Sequence, residues 1–147
     1  MCLVVKDYKK PIPKKNGRVT VYKVLCIYNS INELATPFRY EEVKPGWLKA
    51  EGKLDTRCDY STYYKKHIHG GAIHAYSDIA KARTVKNKYS ADPRIIVECE
   101  AFVKDFIANG CNRDVVYKKI FISKRAIKKA LDEYRARNNT KTSLSAA

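Results

Sequence analysis

Hydrophobic and polar positions along this chain repeat with two periods. VTVYKVLCIY (19–28) is β-branched and aromatic and apolar on both alternating faces, which predicts a central strand. IIVECEAFV (95–103) alternates: Ile95, Val97, Cys99, Ala101 and Val103 share one face, and Glu98 and Glu100 the other. DVVYKKIFI (114–122) predicts a further strand. GGAIHAY predicts a short strand after a glycine turn, with Ala72, His74 and Tyr76 on one face and Ile73 and Ala75 on the other. The period then lengthens. Ile79, Ala82, Val85 and Tyr89 recur at helical spacing over 78–89, with Ser77 as the N-cap, Asp78 in the first turn and Pro93 beyond the end. Ile127, Ala130, Leu131 and Tyr134 form the stripe of a helix over 124–137 that Ser123 can cap.

Turn residues divide these segments. VKDYKKPIPKKNGR (5–18) reads as an extended arm ending in an Asn-Gly turn. NSINELATPFRYEEVKPGWLKAEGKLD is loop-rich, and its Trp47 is expected to pin the loop on the core. DFIANGCNRD reads as a turn region closed by Asn109-Gly110, and NNTKTSLSAA as a polar tail with nothing to pack. Strands mixed with two helices, without regular β-α alternation, predict an α+β fold. We expect a basic arm over 1–18, a single domain over 19–137 with a mixed or mostly antiparallel sheet and two main helices, and a tail over 138–147.

Composition narrows the class. The 147 residues are 45% apolar, enough for one packed core. No window is apolar for long enough to span a bilayer. The start, MCLVVKDYKKPIPKK, reverses the order of charge and apolar run found in a signal peptide, so a cytoplasmic protein, or a virion one if phage-encoded, is expected. Cysteines at 2, 26, 58, 99 and 111 are odd in number and contain no C-x-x-C, which suits reduced thiols. The formal net charge is +15, shared by both halves: 14 basic and 7 acidic groups over 1–70, and 16 and 8 over 71–147. Such a field attracts polyanions, although charge repulsion for solubility gives the same composition.

The basic residues group in two stretches. Lys6, Lys9, Lys10, Lys14, Lys15 and Arg18 lie in the arm; Lys118, Lys119, Lys124, Arg125, Lys128 and Lys129 lie in the last strand and helix. Both are candidates for phosphate contacts. Tyr60, Tyr63 and Tyr64, beside Lys65 and Lys66, either stack bases of a single strand or cover the core. Helix-turn-helix, RNP and zinc-finger patterns are missing, so recognition is expected to tolerate any sequence. All three histidines fall in HIHGGAIHAY (67–76). His67 and His69 share a strand face at i, i+2, but C-x8-H-x-H-x4-H matches no zinc spacing, and they read as local surface groups. A Cys58–His nucleophile pair has no glycine-framed elbow or orienting carboxylate beside it. We assign no metal, no cofactor and no catalytic residue.

HGGAIHAYSDIAKARTVKNKY resembles the strand–helix signature of the ADP-ribosyltransferase fold, VTVYKVL its first strand and IIVECEAF the strand after the helix. The resemblance covers about a hundred residues. It implies a nucleotide-shaped cleft with a degenerate NAD-cleaving triad: Lys23 where the family has histidine or arginine, His74 where it has tyrosine or serine, and Asp114 where it has glutamate. Lys23, Gly70, Gly71, His74 and Asp114 are therefore the candidate ligand cleft. An MCL start, YKVL, a central G-x-x-H-A and a closing K-K-I strand also resemble small proteins of Bacteroides-type bacteria and their phages. Three functions follow: a basic protein that binds nucleic acid through phosphates, a phage particle component docked on an acidic protein assembly, and a nucleotide-binding or weak transferase-like protein.

Overall fold

The two segments with the strongest β pattern form the longest ladder among the described residues. Arg18–Tyr28 and Arg94–Phe102 run antiparallel, from Arg18 opposite Phe102 to Cys26 opposite Arg94. The structure is a computed structural model that describes residues 3–28, 33–36, 42–59, 65–88 and 93–146. Its strands are β1 (Leu3–Asp7), β2 (Arg18–Tyr28), β3 (Glu33–Ala35), β4 (Glu42–Val43), β5 (Gly46–Lys49), β6 (Asp55–Asp59), β7 (Lys65–Gly70) and β8 (Ile73–Tyr76). Helix α1 (Ile79–Lys88) follows, then β9 (Arg94–Phe102), β10 (Phe106–Gly110), β11 (Asp114–Tyr117), β12 (Lys119–Ile122) and helix α2 (Lys124–Ala146). They form one curled sheet in the order β5-β12-β9-β2-β8-β11-β10-β1-β7-β6, with β3 and β4 added beside β2. Each pairing between described strands is antiparallel, giving the α+β single-domain fold read from the sequence.

Alternation sets the two faces. Val21, Leu25, Val97, Cys99 and Ala101 point inward and meet Ala75, Val115, Tyr117, Ile120 and Ile122. Ala130 and Leu131 of α2 close this core, with Ile127 and Tyr134 packed beside them. On the other face, Ala82 of α1 covers Val24 and Tyr76. Burial pushes the Cys99 thiol and the Tyr117 hydroxyl each up to about 12, so both stay protonated in the core. Cys99 and Cys111 are free thiols. No helix of the described residues is long and apolar enough to cross a membrane.

Several local expectations change. Leu3–Asp7 is not free arm: it pairs with β10 and β7, and Leu3 is fully buried. Only the stretch after it is extended and exposed, and it ends in the expected turn, with Asn16 and Gly17 both left-handed (φ 66° and 70°). The segment 114–122 is two strands. At Lys118, N–H donates to the Asp105 carbonyl and the carbonyl accepts from Ala50 N–H, so the chain leaves the β10–β11–β8 ladders for those of β9 and β5. Gly110 does not turn the chain. It ends β10, and Arg113 takes the left-handed position instead (φ 58°). A Cβ at Gly110 would overlap the Asp114 carboxylate and displace it, so glycine there makes room for a side chain and does not turn the chain. The cap of α1 is Asp78, whose Oδ1 accepts from Ala80 N–H at 2.8 Å, while Ser77 Oγ donates to the Arg113 carbonyl. Ser123 caps α2 as expected, accepting from Ala126 N–H at 3.0 Å. That helix runs on to Ala146, through nine residues without glycine or proline.

The glycine pair offers a test. Gly71 is left-handed (φ +73°), and a Cβ there would overlap the Lys53 backbone, whereas Gly70 faces open space. Gly71→Ala is expected to lower stability by more than the left-handed penalty alone, about 1–2 kcal/mol, and Gly70→Ala to change it little. Urea denaturation of the two variants measures this; equal midpoints would refute the close approach.

Candidate functional site

Four of the five residues of the expected cleft, Lys23, Gly70, Gly71 and His74, line one cavity, and Asp114 lies outside it, hydrogen-bonded to His74. β2 and β8 share one register pair, Tyr22 opposite Tyr76, while β8 pairs with β11 along its whole length. Beside that single pair, Lys23 Nζ donates to the His74 carbonyl at 2.5 Å. A cavity of about 150 Å³ opens there, and Lys23, Gly70, Gly71 and His74 line it together with Ile73 and Arg94. On the next strand Asp114 stands opposite Tyr76, and its Oδ2 lies 3.1 Å from His74 Nε2. Lys23, His74 and Asp114 thus sit on the adjacent strands β2, β8 and β11.

Charge states follow from burial and partners. Burial drives the His74 imidazole below its ordinary value; the Asp114 hydrogen bond opposes this and the Lys23 ammonium reinforces it. Burial raises Asp114, but hydrogen bonds from His74 and from Asn112 N–H outweigh it and hold the carboxyl below its usual value. At neutral pH, then, a neutral imidazole donates Nε2–H to an ionised carboxylate, and its lone pair is on Nδ1. Such a ring is oriented and can accept a proton from a bound hydroxyl. Arg94 adds the group that sequence reasoning missed: its Nε is buried and has no hydrogen-bond partner among the described residues. An arginine at the edge of an alternating strand gave no signal of this.

His67 is not a surface group. It is buried on β7, between Val4 of β1 and Arg57 of β6, with its ring centroid 6.0 Å from that of His69. Among the described residues no three His, Cys, Asp or Glu side chains gather to hold a metal. Tyr60, Tyr63 and Tyr64 lie outside the described residues, as do the side chains of Cys58 and Lys65.

The predicted basic residues divide among separate surfaces. Lys9, Lys10, Lys14 and Lys15 are exposed along the segment after β1, Lys66 on β7 and Lys118 between β11 and β12. Lys124, Arg125, Lys128 and Lys129 are exposed on α2. Lys14, Arg18 and Lys119 converge on the outer face of β2, β9, β12 and β5. There Lys14 Nζ donates to Thr20 Oγ1, Arg18 lies over the Phe102 ring, and Lys119 Nζ sits 4.6 Å from the centre of Trp47. Lys104, which sequence reasoning missed, joins them over Phe102 at 5.5 Å. Trp47 does not pin a loop to the core; it is 42% exposed, because Leu48 takes the inward position on β5. A signal for this face was present: in KIFI and ECEAF, alternation puts Phe121 and Phe102 on the polar side.

No family model, curated protein or solved structure matches this chain.

The His74 charge state has a consequence for stability. Its folded-state value lies below the ordinary 6.5, so the unfolded chain takes up a proton first as pH falls. The stability it contributes is complete above about 6.5, the unfolded value, and is lost as pH falls from there through the folded value; Asp114 acts in the same direction, starting from about 3.8. The thermal midpoint is expected to drop from about pH 7 to pH 5 more steeply in the wild type than in His74→Gln. Parallel slopes would show that His74 keeps its ordinary proton affinity.

Proposed function

We propose that this chain is a binding protein for nucleic acid that grips backbone phosphates without reading sequence. The observation that supports this is the outer sheet face, where Arg18 pairs with Glu100, Lys14 bonds to Thr20, Lys104 lies over Phe102 and Lys119 over Trp47. The Arg18–Glu100 ion pair, 3.2 Å long with both side chains 52% exposed, contributes under about 1 kcal/mol, so a phosphate can replace the carboxylate at small cost. Four cations each meeting a phosphate give a slope of log K against log salt of about −3 to −4. A gel-shift titration with single- and double-stranded probes at low and moderate salt tests the reading. Arg18→Gln and Lys119→Gln should each weaken binding across all sequences and flatten the slope by roughly 1, and Glu100→Gln should tighten it. No shift at low salt on any probe would end this reading; binding to polyglutamate in its place would favour docking on an acidic protein assembly, as in a phage particle.

A second reading rests on Arg94. Its unpartnered Nε shares one cavity with the Lys23 ammonium and His74, an arrangement suited to the anionic part of a nucleotide. The likeness to the ADP-ribosyltransferase fold leads to the same ligand class, with Lys23, His74 and Asp114 in place of that family's triad. Calorimetry with NAD and ADP-ribose should show heat that Arg94→Gln abolishes. Silence with both ligands would remove this reading.

A further inference from the structure

The outer face carries more than charge. Trp47 and Phe121 are opposite one another on β5 and β12, with ring centroids 5.3 Å apart, and Trp47 stacks on Phe102 of β9 at 5.8 Å and 28°. Leu48, Ile120, Ile122 and Ala101 fill the inner face, so strand alternation turns these three rings outward. Among the described residues, helix α1 covers the same side of the sheet at Tyr22, Val24 and Ile96 and not at Trp47. Trp47 is 42% exposed, with Phe102 and Phe121 half-buried against it, an aromatic surface on a chain of net charge +15 that calls for an occupant. The cations around it select the occupant's charge: Arg18 and Lys104 over Phe102, Lys119 over Trp47.

We propose that the Trp47–Phe121–Phe102 face, ringed by Arg18, Lys104 and Lys119, is a stacking platform for the bases of single-stranded nucleic acid. The inference rests on the phosphate-binding reading and adds the ligand's class. Rings and cations meet the two parts of one nucleotide: a base lies flat on an aromatic face, and an ammonium or guanidinium at its rim reaches the phosphate. Lys119 has the freedom this needs. Its four-carbon stem lets the ammonium leave the Trp47 ring for a phosphate as a base takes its place. A duplex hides its base faces in its own stack, so it gains only the phosphate contacts.

Trp47 is the chain's single tryptophan, so its fluorescence reports directly on this surface. The wild-type protein is titrated at low salt with oligothymidylate, with the same length of duplex, with inorganic polyphosphate and with polyglutamate. Oligothymidylate is expected to quench Trp47 and to bind more tightly than the duplex; polyphosphate is expected to bind without quenching. Trp47→Ala should weaken oligothymidylate binding roughly 5- to 100-fold and leave polyphosphate binding unchanged, with Trp47→Phe between the two. Phe121→Ala should act in the same direction, and a thermal midpoint for each variant shows that it is folded. Equal binding of oligothymidylate and polyphosphate without quenching overturns the platform and leaves the phosphate reading standing. Binding of neither sinks both, and a Trp47 response to polyglutamate alone overturns both in favour of an acidic protein partner.

Discussion

The β2–β9 ladder is the constraint on which the rest of the molecule depends. Its register fixes which side chains of two long strands face inward, and each inward residue commits its neighbours to the opposite side. Val21, Val97 and Cys99, almost without exposure, anchor the core. The same register places Arg18 opposite Phe102 and Thr20 opposite Glu100 on the outer face. A slip of one residue would bury those polar groups and expose the core, so packing and the outer surface are specified by a single pairing.

The cleft arises where the regular pattern ends. β8 runs beside β11 throughout but meets β2 at a single register pair. A lysine from the β2 strand then satisfies a carbonyl of β8, and the opened seam becomes a cavity. Lys23 is nearly buried there, which for a lysine requires partners. Its bond to the His74 carbonyl is one of them, and the Asp114 carboxylate, one strand further, holds the other side of the same histidine. Polar groups on three strands therefore stabilise a place where backbone pairing is incomplete.

Much of this was legible in the chain, and the reasons for the failures are physical. Period-2 alternation placed Ile95, Val97, Cys99 and Ala101 in the core, and the Ser123 cap followed from local chemistry. Long-range partners were invisible. The break at Lys118 depends on hydrogen bonds to Asp105 and Ala50, which no local pattern encodes. Gly110 looked like a turn residue because sequence cannot distinguish a left-handed glycine from one that makes room for a carboxylate. The cleft residues were named through a resemblance, while the aromatic face was overlooked because Tyr60, Tyr63 and Tyr64, beside Lys65 and Lys66, offered the more conspicuous aromatic cluster. Phe102 and Phe121 on the polar side of alternating strands were the available clue.

The strand order begins at β5 and finishes at β6, yet these two are consecutive in the chain. Lys49 and Asp55 are joined by five residues, so the sheet's opposite margins are held within roughly 20 Å of one another. The connection acts as a clasp on a sheet that would otherwise lie open. Its backbone at Lys53 and Leu54 is seated against Gly71, at the rim of the cavity. Cutting the chain there and rejoining the termini elsewhere would keep every strand but release that closure, and the seam holding Lys23 and His74 would lose its rim.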